Sequence, residues 1–130
     1  MTRINLISPE KLYDQHLLAE HRELKRIPNV IKSGKYNLDN IPEHYVLGTG
    51  HVKFFYNKLK FLHNRYKLLF KECKKRGFNI TNYEESFSDL PEELYNDYSP
   101  SQSAIKLNKK RLQEKIDSKP DFYKYYGNKI

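Results

Sequence analysis

Apolar residues recur at helical spacing in three stretches of the chain. The longest stretch runs from about His51 to Arg76, and its apolar positions are separated alternately by four and three residues: Phe55, Leu59, Leu62, Tyr66, Leu69 and Cys73. This spacing places them on one face of a helix, so we expect most of them in the core. The basic residues 74–76 and Gly77 are typical of a helix end, because cations suit the negative end of the helix dipole and glycine tolerates the left-handed conformation.

A second predicted helix precedes this one and opens at Ser8-Pro9-Glu10. Serine is a good N-cap and proline is favoured at the first helical position. Three apolar residues then share one face at spacings of seven and four: Tyr13, Leu17 and Leu24. Pro28 disfavours the helical conformation at Ile27, so we expect this helix to end or kink there. The segment from Pro28 to Gly48 is predicted to be a loop with at most a short helical turn.

A third helix is predicted from Ser101 or Ser103 to about Asp117. Its inward residues would be Ile105, Leu112 and Ile116, and its mostly outward residues Lys106, Lys109, Lys110, Arg111 and Lys115. Residues 78–100 are predicted to be loop with short turns, and no run of residues alternates as a strand would. The 130 residues suit one domain. We therefore predict an all-α fold, a compact single domain (1–130) of three main helices with long connecting loops.

The charge balance favours a polyanionic partner. Lys and Arg total 24 against 16 Asp and Glu, which gives a formal net charge of +8. Nucleic acid is the commonest partner of such a surface, and a merely soluble basic domain is the alternative. The chain also holds 11 Tyr and 7 Phe. Aromatic side chains can stack on bases, although most of these fit a small core better.

Cysteine usage and hydropathy indicate a cytoplasmic protein. Cys73 is the single cysteine, so no disulfide framework can form within the chain and a reducing compartment is expected. Residues 1–6 carry no long apolar run typical of a signal peptide, and no stretch approaches the roughly 18 apolar residues of a membrane span. We expect a protein associated with the nucleoid or with a virus-infected host cell, without a membrane partner.

Polar residues of the first predicted helix form two sets. Within roughly 100° of the helical wheel lie one carboxylate, two guanidiniums and one amide, from Glu23, Arg22, Arg26 and Gln15. They could face a ligand or merely solvent. The other set, His16, Glu20 and Glu23, has spacings that could hold a divalent metal, as in a metal-dependent nuclease. We prefer a structural role, in which His16 lies at the core edge and bonds Glu20, because no further ligand cluster completes a metal site.

Several segments carry a resemblance to a known family. They read MTRINL from Met1, DQHL from Asp14, REL from Arg22, GHVKFFY from Gly50, RGFNI from Arg76 and YKYYG from Tyr123. With them the chain resembles the phage endonuclease V family of pyrimidine-dimer DNA glycosylases. Two departures stand out. The segment 27–47 is shorter than in the best-known members, and Phe122 stands where tryptophan is expected.

The resemblance implies a base-excision repair enzyme that acts without a metal or organic cofactor. It would remove ultraviolet-induced cyclobutane pyrimidine dimers from double-stranded DNA and then cleave the abasic site by β-elimination. Its partner would be duplex DNA containing dimers or abasic sites, bound by a monomer. Other readings stay open: the same chemistry on another damaged or modified base, a metal-dependent nuclease, or a non-enzymatic basic DNA-binding module.

The resemblance also assigns the chemistry to named residues. Thr2 is small, so we expect Met1 to be removed and the Thr2 α-amine to act as the nucleophile. An α-amine has a pKa of about 7.7–8.0, so a useful fraction is neutral at physiological pH. Glu23 matches the catalytic carboxylate. The predicted DNA-binding residues are Arg3, Gln15, His16, Arg22, Arg26, Arg111 and Lys115.

Overall fold

The protein is mostly helical, as predicted. A computed structural model describes residues 2–129. Its helices are α1 (Asp14–Glu23), α2 (Arg26–Ser33), α3 (His51–Phe54), α4 (Leu59–Lys75) and α5 (Gln102–Ser118). The three longest, α1, α4 and α5, lie within the three predicted stretches, and α1 packs against α4. The all-α prediction is therefore confirmed. Within residues 2–129, no helix combines the length and apolar character that crossing a membrane requires.

Helix α4 provides the apolar centre of the fold. The predicted stripe is fully buried: the five residues in α4 (Leu59, Leu62, Tyr66, Leu69 and Cys73) and Phe55 just before the helix have no exposed area. The helix is shorter than predicted, because Lys58 leaves the helical region (φ −129°, ψ 41°) and separates the single turn of α3 from α4. The predicted end is confirmed, since Arg76 caps the helix and Gly77 has a φ of +83°.

The first predicted helix begins later than its serine and proline suggest. Pro9–Lys11 forms only a 3-10 turn, and the following residues are extended, Leu12 with ψ 143° and Tyr13 with ψ 157°. Helix α1 starts at Asp14. The extended residues bury the side chain of Leu12, which is 1% exposed. The gap between the 3-10 turn and α1 therefore coincides with the burial of Leu12, and the local capping signals do not predict it.

The prediction of a helix boundary at Pro28 is wrong. The interruption lies at residues 24–25, and Pro28 is the third residue of α2. The N–H groups of a helix's first turn have no partner within that helix, so proline costs little there. Helix α2 then continues to Ser33, where the predicted loop should already have begun, and ends at Gly34, whose φ is +74°.

Helix α5 matches its predicted bounds closely. The Ser101 hydroxyl caps it by accepting a hydrogen bond from the Ala104 N–H at 3.1 Å. Its most buried residues are spaced by four: Ala104, Asn108 and Leu112. Two residues predicted to face inward, Ile105 and Ile116, are only half-buried. The buried face of α5 thus carries a polar residue at its centre, because Asn108 is 1% exposed.

The connections are long, and the tail forms a hairpin. Between α4 and α5 the chain makes two 3-10 turns, Glu84–Phe87 and Glu92–Leu94, in agreement with the predicted loop. After α5, strands β1 (Lys124–Tyr125) and β2 (Asn128–Lys129) pair antiparallel. Residues 126 and 127 turn the hairpin with φ of +53° and +80°. A two-residue strand is too short to show alternation, so the sequence pattern predicts no strand here.

Candidate nucleic-acid processing site

A cleft of about 620 Å³ brings together most of the predicted site residues. The N-terminal strap (residues 2–7), α1, residues 45–51 and α5 contribute to its walls. Six of the nine predicted residues line it: Thr2, Arg3, His16, Glu23, Arg111 and Lys115. These residues come from three separate parts of the chain, so the fold gathers the proposed nucleophile, the proposed carboxylate and four basic side chains.

The other three predicted residues lie outside the cleft lining. Arg22 is exposed, and its Nη2 atom lies 3.6 Å from Oε2 of Glu23. Arg26 is exposed at the start of α2, beyond the interruption that ends α1. Gln15 contacts the tail: its Nε2 donates to the Phe122 carbonyl at 3.0 Å and its Oε1 accepts from the Lys124 N–H at 2.9 Å. Contact of Gln15 with DNA stays a prediction. In the structure, both polar atoms of its side chain are already hydrogen-bonded to the tail.

The N-terminal strap is fixed through its backbone, although it has no regular secondary structure. The Ile4 N–H donates to His51 Nε2 at 2.8 Å, and the Tyr45 hydroxyl donates to the Ile4 carbonyl at 3.0 Å. The Leu6 N–H donates to Asn108 Oδ1 at 2.7 Å. Buried backbone groups need such partners, and here side chains from other elements supply them. Both the N–H and the carbonyl group of Ile4 are thus hydrogen-bonded to side chains.

Beneath the cleft lies a buried ionic network that sequence reasoning missed. Arg65 forms a bidentate salt bridge to Glu20, with Nε bonded to Oε2 and Nη2 bonded to Oε1. Both residues are buried, Arg65 at 6% and Glu20 at 2% exposure. Asn5 Nδ2 donates to Glu20 Oε1 at 2.8 Å, and Asn108 Nδ2 donates to Asn5 Oδ1 at 2.8 Å. Arg65 also donates to the Ile7 carbonyl at 2.9 Å. The network therefore links α1, α4 and α5 to the strap.

His16 does not form the expected hydrogen bond to Glu20. Its Nε2 is buried without a hydrogen-bond partner among residues 2–129, and its ring packs on Tyr123 with centroids 4.5 Å apart. Burial, together with the positive charges of Arg3 and Lys115, lowers the pKa of His16 to about 4. The imidazole is therefore neutral at physiological pH and keeps an unused nitrogen in the wall of the cleft.

The metal-binding set considered from spacing does not form. Both carboxylate oxygens of Glu20 are bonded, one to Arg65 alone and the other to Arg65 and Asn5. Among residues 2–129, no group of three or more His, Cys, Asp or Glu side chains is arranged to hold a metal ion. His16, Glu20 and Glu23 thus line one cleft without converging on a common point.

Positive charge is concentrated on one side of the cleft. Lys115 is close enough to other cations that its pKa is lowered, most by Arg3 and next by Arg111. Such mutual repulsion is relieved when an anion binds, and the phosphates of a nucleic acid supply the anions. This wall therefore suits a phosphate backbone.

The aromatic tail is anchored on α1 and α4 beside the cleft. The Asp14 carboxylate accepts from the N–H groups of Tyr126 (3.0 Å) and Gly127 (2.7 Å) and from Arg76 Nη1 (2.9 Å). Glu72 Oε2 accepts from Arg76 Nε at 2.8 Å and from the Tyr126 hydroxyl at 2.7 Å. This anchor holds the hairpin where Tyr123 reaches the ring of His16.

The helical fold and the basic cleft with a carboxylate in its wall define a nucleic-acid-processing protein. A sequence model of the family described as pyrimidine dimer DNA glycosylase matches residues 1–85. The chain belongs to this family, so its resemblance to the phage endonuclease V family is confirmed. It is therefore a DNA repair enzyme whose substrate is DNA. The match includes the strap, α1 and α4, and ends before α5.

Proposed function

We propose that the protein excises ultraviolet-induced cyclobutane pyrimidine dimers from duplex DNA and then cleaves the strand at the abasic site. Both steps would proceed through an imine between the Thr2 α-amine and the sugar. The observation that carries the proposal is the common cleft of Thr2 and Glu23, with Arg3, Arg111 and Lys115 around them. Membership of the glycosylase family supports the substrate.

The amine chemistry links base removal to strand cleavage. After loss of Met1, the neutral Thr2 amine attacks C1′ of the 5′ nucleotide, and the base leaves with the electrons of the glycosidic bond and gains a proton. The sugar ring opens as O4′ leaves C1′ and is protonated, which gives a protonated imine. Because the imine is an electron sink, C2′ loses a proton and the 3′ phosphate departs with the C3′–O electrons. Water then hydrolyses the imine and frees the amine.

Glu23 is the carboxylate assigned to this cleft. A negative charge there stabilises the cationic sugar that develops as the base leaves, and the same carboxylate can accept the C2′ proton during elimination. Its side chain is 16% exposed, so solvent screening is limited, and the Arg22 guanidinium lies 3.6 Å away. We expect Glu23→Gln to slow base excision by about 10²–10⁴-fold.

The basic residues would hold the DNA. Guanidiniums can grip phosphates with two parallel hydrogen bonds, which suits Arg3 and Arg111 inside the cleft and the exposed Arg22 and Arg26 outside it. Lys115 would add a point charge. Gln15 and His16 would contact the sugar or base edges. Exposure of C1′ requires unstacking that costs a few kcal/mol, and a dimer that weakens pairing lowers this cost.

The decisive experiment is borohydride trapping on duplex DNA with one defined thymine dimer, in EDTA. We expect a covalent adduct that peptide mapping assigns to the Thr2 amine, and far less of this adduct on the dimer substrate with Glu23→Gln. If abasic DNA traps but the dimer does not, the lyase chemistry holds and another modified base is the substrate. If neither DNA traps, the imine mechanism is wrong, and a metal-dependent nuclease or a non-enzymatic binding module becomes the better explanation.

A matched pair of variants tests the amine itself. Thr2→Ala keeps a small second residue, so Met1 is removed and the amine stays in place. Thr2→Asn has a larger second residue and is expected to retain Met1, which moves the amine by about one residue, roughly 3.8 Å. Mass spectrometry verifies each N-terminus. Trapping should survive in Thr2→Ala and be lost in Thr2→Asn, and equal trapping by both would contradict the assignment.

A further inference from the structure

His51 is buried directly beside the strap and has no hydrogen-bonding capacity left for DNA. It is 5% exposed, and its Nδ1 lies 2.8 Å from the Val46 carbonyl. A carbonyl only accepts hydrogen bonds, so Nδ1 carries the proton. Nε2 therefore presents a lone pair, which accepts the Ile4 N–H at 2.8 Å. The ring is held in one neutral tautomer, and burial lowers the pKa of His51 in keeping with that state.

The surroundings hold the ring in place. His51 begins α3 directly after Gly50, whose φ is +90°. A Cβ atom added at Gly50 would lie only 2.9 Å from Cγ of Pro42, so this turn is closely packed. Tyr45 packs edge-on to the ring, with centroids 5.3 Å apart, and its hydroxyl donates to the carbonyl of the same Ile4. The peptide groups of Ile4 are therefore fixed on two sides by rigid neighbours.

We propose that His51 is a positioning residue for the nucleophile, acting through the backbone of Ile4 two residues from Thr2. The proposal rests on the proposed function, since it concerns the amine that would form the imine. Chain termini are poorly ordered unless they are tied down, and the acceptor on Ile4 supplies such a tie. A displacement of about 1 Å can cost about 10²-fold in rate when it misplaces a reacting group.

Two isosteric replacements separate the two hydrogen bonds of the ring. In His51→Gln the amide oxygen can take the place of Nε2 and still accept the Ile4 N–H, while the bond to Val46 is lost. In His51→Asn the amide nitrogen can take the place of Nδ1 and donate to Val46, while the bond to Ile4 is lost. Both variants remove the ring and bury an amide, so their losses of packing and stability should be similar. They differ in whether the Ile4 N–H keeps its acceptor.

The readout is the single-turnover rate of imine formation on abasic duplex DNA at saturating enzyme, measured by borohydride trapping. We expect His51→Asn to be slower than wild type by about 10–100-fold and His51→Gln to stay within about threefold. The dissociation constant for DNA with a reduced, unreactive abasic analogue should be the same for both. Thermal unfolding of each variant separates misplacement of the amine from loss of fold.

Equal rates for the two variants, or a loss that follows only DNA affinity or thermal stability, would overturn the proposal. Should His51→Asn fail to fold, His51→Gln decides alone: an imine rate that falls by about tenfold or more at unchanged thermal stability would overturn the proposal, because this variant keeps the acceptor for the Ile4 N–H. Failure of the proposed function looks different, because wild-type protein would then form no Thr2 adduct.

Discussion

Glu20 illustrates how spacing alone leaves the role of a residue open. Its place on α1 beside His16 and Glu23 suggests a metal ligand, but its partner Arg65 is 45 residues away. A carboxylate and a guanidinium buried together need each other, since neither charge has access to water. No local pattern reveals a pair that forms only when α1 meets α4. The role of Glu20 therefore depends on packing that the sequence does not display.

We predict that Glu20→Ala lowers the free energy of unfolding by about 3–5 kcal/mol, because it leaves the Arg65 charge buried without a partner. Glu20→Gln should lose less, since an amide oxygen still accepts hydrogen bonds. Urea unfolding measures both, with Glu43→Ala, at an exposed position, as a control expected to change by under about 0.5 kcal/mol. A Glu20→Ala protein as stable as the control would contradict the importance of this pair.

The pH dependence of stability should reveal His16. Burial and nearby cations lower the pKa of His16 to about 4 in the folded protein, against 6.5 in the unfolded chain. The unfolded chain thus binds more protons between these values, so stability is complete above pH 6.5 and declines as pH falls toward 4. At a pH of about 5.5, unfolding should take up roughly 0.9 proton through this residue alone.

Urea unfolding across this pH range tests the prediction. His16→Gln should flatten the decline by the contribution of one histidine, while His44→Gln, at an exposed site, should leave it unchanged. Part of the decline should persist in both variants, because burial also lowers the pKa values of His21 and His51. Parallel pH profiles for wild type and His16→Gln would show that His16 binds a proton equally in both states.

At the scale of elements, periodicity predicts buried faces well and helix ends poorly. All six stripe residues, five of them in α4 and Phe55 just before it, are buried because a long amphipathic helix has few ways to pack. The ends depend on single residues. Pro28 stops a helix only where its missing N–H would be needed, and in α2 it is not. The interruption at residues 24–25 precedes it without a proline or glycine, so no local signal marks it.

Two adjacent leucines of α4 provide a direct test of this packing. Leu69 is fully buried and Leu68 is 54% exposed. We predict that Leu69→Ala lowers the free energy of unfolding by about 2–5 kcal/mol, because it removes core contacts and leaves a cavity. Leu68→Ala should change it by under about 0.5 kcal/mol. Similar losses in both variants would show that the face of α4 is assigned wrongly, and urea unfolding distinguishes the cases.

The tail shows a second limit of element-level prediction. Its hairpin has two residues per strand and relies on Asp14 and Glu72, which accept hydrogen bonds from Tyr126 and Gly127. Residues more than 50 positions away thus determine its shape. The YKYYG segment is one of those that carry the family resemblance, but its secondary structure depends on contacts with α1 and α4.

For the whole molecule, a net charge of +8 predicts DNA affinity but not where the DNA lies. The proposal that DNA enters the cleft makes that distinction. Arg111 and Lys115 line it, whereas Lys67 and Lys71 are exposed on α4, which contributes no residue to its lining. Six residues of the cleft lining were among the predicted site residues, most of them through the family resemblance. Their convergence from three segments follows from the fold.

Salt dependence of DNA binding should separate these two groups of cations. Each phosphate contact releases counterions, so we predict that Arg111→Gln lowers the slope of log affinity against log salt by about 1. Lys67→Gln removes the same charge outside the cleft and should leave the slope near the wild-type value. Fluorescence anisotropy with duplex DNA over a range of NaCl concentrations measures both. Equal changes would indicate that the DNA does not enter by way of the cleft.

The contact between the strap and α5 also sets an order of events during synthesis. Leu6 bonds to a residue 102 positions later, and a ribosome adds about 5–20 residues per second, so the interval is about 5–20 s. Throughout that time the nascent chain lacks the helix that secures its first residues. A ribosome-bound fragment therefore carries the N-terminal strap without the helix that encloses it, and the cleft is completed late, when α5 has emerged from the exit tunnel.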